Sequence, residues 1–97
     1  MTNFEVMLSG KGIFLPFEGT TDIAIGFYVS RIVRASNQTE AEKTAKEMVL
    51  AEWRSDRFAL NRGAQPSLAV ESVARIGMLR SFLRKQPGYS FYSEEEA

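Results

Sequence analysis

The chain has no cysteine and no histidine among its 97 residues. The first absence excludes disulfides and thiol nucleophiles, the second excludes imidazole acid–base work, and together they remove every zinc site built on those ligands. Any catalysis would rest on Glu, Asp, Tyr, Lys, Arg, Ser or Thr alone. An excess of one charge is also lacking, because twelve Lys and Arg balance twelve Asp and Glu. No overall field therefore draws the molecule onto nucleic acid or an anionic membrane. No apolar run approaches the roughly 20 residues that span a bilayer. The opening residues MTNFEVMLSGKG have neither the basic start nor the apolar stretch of a signal peptide, so a cytoplasmic protein with no membrane partner is expected. Phosphate-cradling glycines, a nucleophile elbow and a calcium loop are missing as well. No cofactor or metal ion is implied.

What is present is ordinary for a soluble globular chain: 44% hydrophobic and 25% charged residues. A chain of this length closes one core, so the expectation is a single globular domain over 1–93, followed by an acidic, disordered tail at 94–97. Phe4, Val6 and Leu8 alternate with Glu5, Met7 and Ser9, the pattern of a half-buried strand, and Gly10-Lys11-Gly12 reads as the turn that closes it. The next stretch, IFLPFEGTTD, contains Pro16 and Gly19 and reads as a loop. Its Ile13, Phe14, Leu15 and Phe17 either fold back on the core or form an apolar lip for a ligand or partner.

From Ile23 to Ala35 a second strand puts Ile25, Phe27, Val29, Val33 and Ala35 on one face and Tyr28, Ser30, Ile32 and Arg34 on the other. Arg31 falls in line with the apolar set. The plainer reading is that its stem lies on apolar neighbours while the guanidinium reaches water; the functional reading is an anion-binding arginine. Asn37 can cap a helix that runs to Trp53, with Glu40 three residues on as in a capping box, although Thr39 and Glu42 offer the same spacing in a different frame. Ala41, Ala45, Met48, Val49 and Trp53 make its apolar stripe. Glu52 falls within that stripe, so it is either a buried acid available for chemistry or, at a helix end, a residue turned to solvent. Leu68 to Ile76 alternate as a third strand, although Pro66 before an alanine-bearing segment could also start a helix; 78–86 has the spacing of a short helix, or forms an irregular apolar clamp, before Pro87-Gly88, and GYSFY offers an edge strand.

Between Arg54 and Lys85 lie seven basic residues against Asp56 and Glu71 alone. With Tyr89, Phe91 and Tyr92 downstream, that segment is a third-ranked candidate for nucleic-acid binding. A stronger clue comes from counting faces. One helix covers one face of a three- or four-stranded sheet, which leaves the other with Met7, Tyr28, Ile32 and Val73, edged by Glu5, Arg34, Glu71 and Arg75. That face is too apolar for open antiparallel sheet. Either 78–83 or a second copy of the chain should cover it, and the expected interface is Met7, Tyr28, Ile32, Arg34, Val73 and Arg75.

The strand GFYVSRIVRA running into a capped helix NQTEAEKTAKEMV, with the aromatic ending GYSFYSEE, resembles small bacterial α+β proteins of unknown function. The resemblance covers about half the chain, implies a sheet-plus-helix fold and carries no activity. HicB-type antitoxins also run a strand into an alanine-bearing helix, but this chain lacks their Pro-Gly-Cys-like turn. The fold expected is α+β, a mainly antiparallel sheet of three or four strands with one long helix on one face, in β-β-α-β-(α)-β order. It would be ferredoxin-like if 78–86 forms the second helix. The function expected is non-enzymatic interaction as a homodimer. The alternative is a small-molecule site or simple enzyme built on Arg31, Glu52 and Trp53.

Overall fold

The computed structural model of the chain describes residues 1–16, 21–55, 58, 61, 65–77 and 88–93. Five elements follow one another: β1 (Thr2–Pro16), β2 (Ile23–Ala35), α1 (Gln38–Trp53), β3 (Ser67–Ile76) and β4 (Ser90–Ser93). The strands form one four-stranded sheet in the order β3-β1-β2-β4, every pair antiparallel. The fold is α+β. β1 and β2 form the central hairpin, and α1 carries the chain from β2 over β1 to β3 on the far side. The helix expected at 78–86, Phe17 of the expected lip and the tail at 94–97 lie outside the described residues.

The helix follows from its sequence. Asn37 is extended (φ −156°), and its side chain accepts a hydrogen bond from the Glu40 amide at 2.9 Å, which satisfies one of the first-turn donors that have no partner within the helix. Ala41, Ala45 and Val49 recur every four residues and are completely buried, and Trp53 follows them into the core. These positions share one face of a helix. They pack against Phe4, Val6, Leu8, Phe27, Val29 and Val33, the inward set of the two central strands. Each such large side chain taken out of water contributes about 1.5–3 kcal/mol before entropy is subtracted.

Two expectations are corrected, both by β-bulges. The first concerns the glycines. β1 does not turn at Gly10-Lys11-Gly12; it continues to Pro16, with Gly10 opposite Phe27, Lys11 opposite Gly26 and Leu15 opposite Ala24. Gly10 is there because the Phe27 ring lies where a Cβ would stand. Gly12 has φ +83°, a conformation that costs little only without a Cβ. It opens a bulge in which Gly12, Ile13 and Phe14 together oppose Ile25. Of the apolar residues read as loop or lip, Ile13 turns into the core and Phe14 projects, 54% exposed. β2 has an irregularity of its own against β4, between Ala24 and Gly26, and there Ala24 takes the buried position expected of Ile25, which is only half-buried.

The second correction concerns β3. Val70 pairs with Leu8 and Ser72 with Met7, so Glu71 is the extra residue of a bulge. A slip of one residue sends every later side chain to the opposite face. Val73 is therefore opposite Val6, and Arg75 opposite Phe4, on the helix side. Simple alternation had put both on the open side. Ser72, Ala74 and Ile76 take their places there.

Candidate functional site

Arg31 and Glu52 belong together. Arg31 sits on the helix face of β2, opposite Val6, and Glu52 lies in the last turn of α1 where the stripe meets that strand. The guanidinium engages the carboxylate with two bonds: Nη2 donates to Oε1 at 2.7 Å and Nε donates to Oε2 at 3.1 Å. Nη1 donates to the Ser30 carbonyl at 2.8 Å, and the Tyr89 hydroxyl donates to the same Glu52 Oε1 at 2.9 Å. The side chains are 5% and 26% exposed. Arg31 thus does not place its charge in water, and Glu52 does not turn to solvent, although each was the plainer expectation for that residue alone. A forked guanidinium–carboxylate pair is the geometry in which a desolvated arginine is tolerated.

Around this pair stands an aromatic wall. The Trp53 ring stacks on Phe58 with centroids 3.9 Å apart and on Phe27 at 5.2 Å. Tyr89 and Phe91 stack on each other at 5.6 Å and meet that column edge-on. The Arg31 guanidinium carbon lies 5.3 Å from the Tyr89 ring centre, within reach of its negative face. The structure therefore brings together all three residues of the proposed ligand site, Arg31, Glu52 and Trp53, as parts of a packed cluster. The Trp53 indole nitrogen is buried without a hydrogen-bond partner among the described residues. Tyr89 was not foreseen as a partner of Glu52; the strand signal in GYSFY placed it near the sheet but gave no hint of where its hydroxyl would go.

The opposite face is built row by row. From one end, the rungs across β3, β1 and β2 are Ile76–Asn3–Arg34, then Ala74–Glu5–Ile32, then Ser72–Met7–Ser30. Next come Ala69–Ser9–Tyr28, with Ser90 of β4 beyond, and Lys11–Gly26–Tyr92. Ile32 and Tyr28 stand on β2 on either side of Ser30, and Met7 of β1, opposite Ser30, joins them into an apolar band across the two central strands. Met7 is 40% exposed and Tyr28 46% exposed. The Tyr92 ring leans over Gly26, where a Cβ would collide with it, and lies 5.7 Å from the Tyr28 ring. Arg34 is exposed at one end of the band and Lys11 at the other. Met7, Tyr28, Ile32 and Arg34 thus share one face, while Val73 and Arg75 do not.

Of the basic segment, Arg54 and Arg75 are exposed, whereas Arg57, Arg62, Arg80, Arg84 and Lys85 lie outside the described residues. No metal-holding group of acidic side chains occurs among the described residues. No helix among them is long and apolar enough to cross a membrane. In comparisons with known proteins, no family model, no curated protein and no solved structure matches the chain.

Proposed function

We propose that the protein is a non-enzymatic interaction module that pairs with a second copy of itself through the open face of its sheet. The observation that carries this reading is the band Ile32–Met7–Tyr28, on the side of the sheet away from α1 and with Met7 and Tyr28 well exposed. An antiparallel sheet that keeps one face in water alternates to polar residues there, and a contiguous apolar band marks a contact surface. Four strands at about 4.8 Å spacing and about ten residues at 3.3 Å give a face of roughly 600 Å². That approaches the 800 Å² or so that each partner contributes to a stable interface.

Charge selects the occupant. A two-fold axis along the strands, between β1 and β2, lays β1 of one copy over β2 of the other. Arg34 of each chain then comes beside Glu5 of its partner, and the two apolar bands interleave. Tyr28→Asp tests the arrangement, because it places a charge within the band at a side chain that is 46% exposed. Light scattering at micromolar concentration should give a dimeric mass for the parent and a monomeric mass for the variant, with unchanged circular dichroism. A monomeric parent would sink the reading.

The rival reading, a ligand or simple chemistry at Arg31, Glu52 and Trp53, is weakened by the pairing itself. A ligand anion would have to displace Glu52 from a two-bond contact, and a reacting group would have to enter a packed aromatic column. Nucleic-acid binding through the segment 54–85 ranks third, since the balanced charge of the whole chain supplies no attraction; salt-dependent retention on heparin is its test.

A further inference from the structure

The bulge that interrupts the β1–β2 hairpin leaves a cleft of about 710 Å³ lined by Lys11, Gly12, Ile13, Phe14, Ile25, Tyr28 and Tyr92. It lies at the Lys11 end of the open face, away from Glu5 and Arg34. Its size is that of sites holding small organic ligands, which are apolar clefts with a few placed polar groups. The site is constructed rather than left over. Gly12 supplies the positive φ that lets three residues of β1 bow away from one residue of β2. The bowed segment is pinned, because the Phe14 amide donates to the Asn61 side-chain oxygen at 2.8 Å. Bulges recur where a fold re-aims side chains at a site. Here the bulge sends Ile13 inward and holds Phe14 outward, 54% exposed.

We propose that this cleft binds a small flat aromatic molecule carrying one negative charge. Phe14, Tyr28 and Tyr92 supply ring surfaces, and the Tyr28 and Tyr92 rings already stand at a 38° tilt to each other. An incoming ring meets offset and edge-on partners there, the arrangements aromatic groups prefer. The only charge among the described lining residues is Lys11, and it is exposed at the rim. A carboxylate or sulfonate beside a ring-filled cleft matches that layout; a cation does not.

The test uses two probes with the same rings, anilinonaphthalene sulfonate and its uncharged counterpart N-phenylnaphthylamine, titrated by fluorescence. The sulfonate should bind saturably, one per chain. Its affinity should fall about tenfold or more in Lys11→Glu while the neutral probe stays within about twofold. Phe14→Ser should weaken both. Lys11→Met is the second variant should reversal of charge disturb folding, and it should reduce only the sulfonate's binding. Sulfonate affinity unchanged in both Lys11 variants, equal loss of both probes on removing the charge, or no saturable binding would each overturn the proposal. Arg34→Glu separates it from the self-association reading: Tyr28 belongs to both surfaces, so that variant should break the dimer and leave sulfonate binding at least as strong as in the parent.

Discussion

On the helix side of the sheet, an arginine and a glutamate meet inside a wall of aromatic rings; on the other side, an arginine and a glutamate stand at one end of an apolar band and a tyrosine at the other. Both faces mix charge with large apolar groups, and the difference lies in how far the arginine of each is withdrawn from water. Arg31 finds Glu52 within its own chain at 2.7 Å, because α1 brings the carboxylate down onto β2. Arg34 is exposed on a face that α1 does not cover. A charge paired within the fold is scaffold. A charge presented beside an apolar surface, as Arg34 is, can take part in recognition, and that contrast is what supports the proposal of self-association through the open face.

The comparison is broken most severely on the closed side. Removing one partner of a desolvated ion pair costs about 3–5 kcal/mol, whereas replacing both by apolar residues is often close to neutral. The two halves here are unequally buried, with the arginine side chain 5% and the glutamate side chain 26% exposed. Glu52→Leu therefore strands a guanidinium away from water and should fall near the upper end of that range. Arg31→Leu leaves a carboxylate that water reaches and that Tyr89 still bonds, and should fall near the lower end. Urea unfolding of both single variants and the double variant measures the contrast. A double variant as unstable as the sum of the singles would show that the two residues do not act as a pair. A scaffold role also requires that none of these changes alter the mass in solution beyond what unfolding explains.

A smaller effect is expected at Gly10, where an added Cβ would occupy the place of the Phe27 ring. Forcing extra atoms into a well-packed core costs about 1–3 kcal/mol. The ring cannot swing away cheaply, because it stacks on Trp53 and meets Tyr89 and Phe91 edge-on. Gly10→Ala should lower the urea midpoint accordingly. An unchanged midpoint would mean that the aromatic column is looser than its geometry implies.

How legible all this was in the sequence depends on how local each determinant is. The cap at Asn37, the stripe Ala41–Ala45–Val49–Trp53 and the alternation of β2 around Phe27, Val29 and Val33 are short-range patterns, and they read correctly. The strand continuing through Gly10 and Gly12 did not, because glycine signals a turn unless one knows that a ring on the neighbouring strand fills the space. The faces of Val73 and Arg75 were misplaced for a related reason: the bulge at Glu71 is a property of the pairing with Met7 and Leu8, and nothing within β3 announces it. Arg31 and Glu52 each fall on an apolar face in the sequence, and each, considered alone, reads more simply as turned outward. Taken jointly, opposite charges on the two surfaces that must pack together were the signal, since neither surface could close over an isolated ion.

The smallest expected effect falls on the open face, and it is the sharpest measure of the contrast. Met7→Thr replaces an exposed side chain that pairs across the sheet with Ser30 and Ser72 and leaves the core untouched. Surface substitutions of this kind change stability by about 0.5 kcal/mol or less, and threonine suits a strand as well as methionine does. For a lone chain the melting temperature should therefore hardly move. A folded dimer is different, because association adds to stability by mass action and makes the melting temperature rise with concentration. The parent should show that rise between low and high micromolar protein, and Met7→Thr should flatten it while matching the parent at the dilute end. If both proteins melt at temperatures independent of concentration, the open face is not held by a second copy, and the apolar band must answer to another partner.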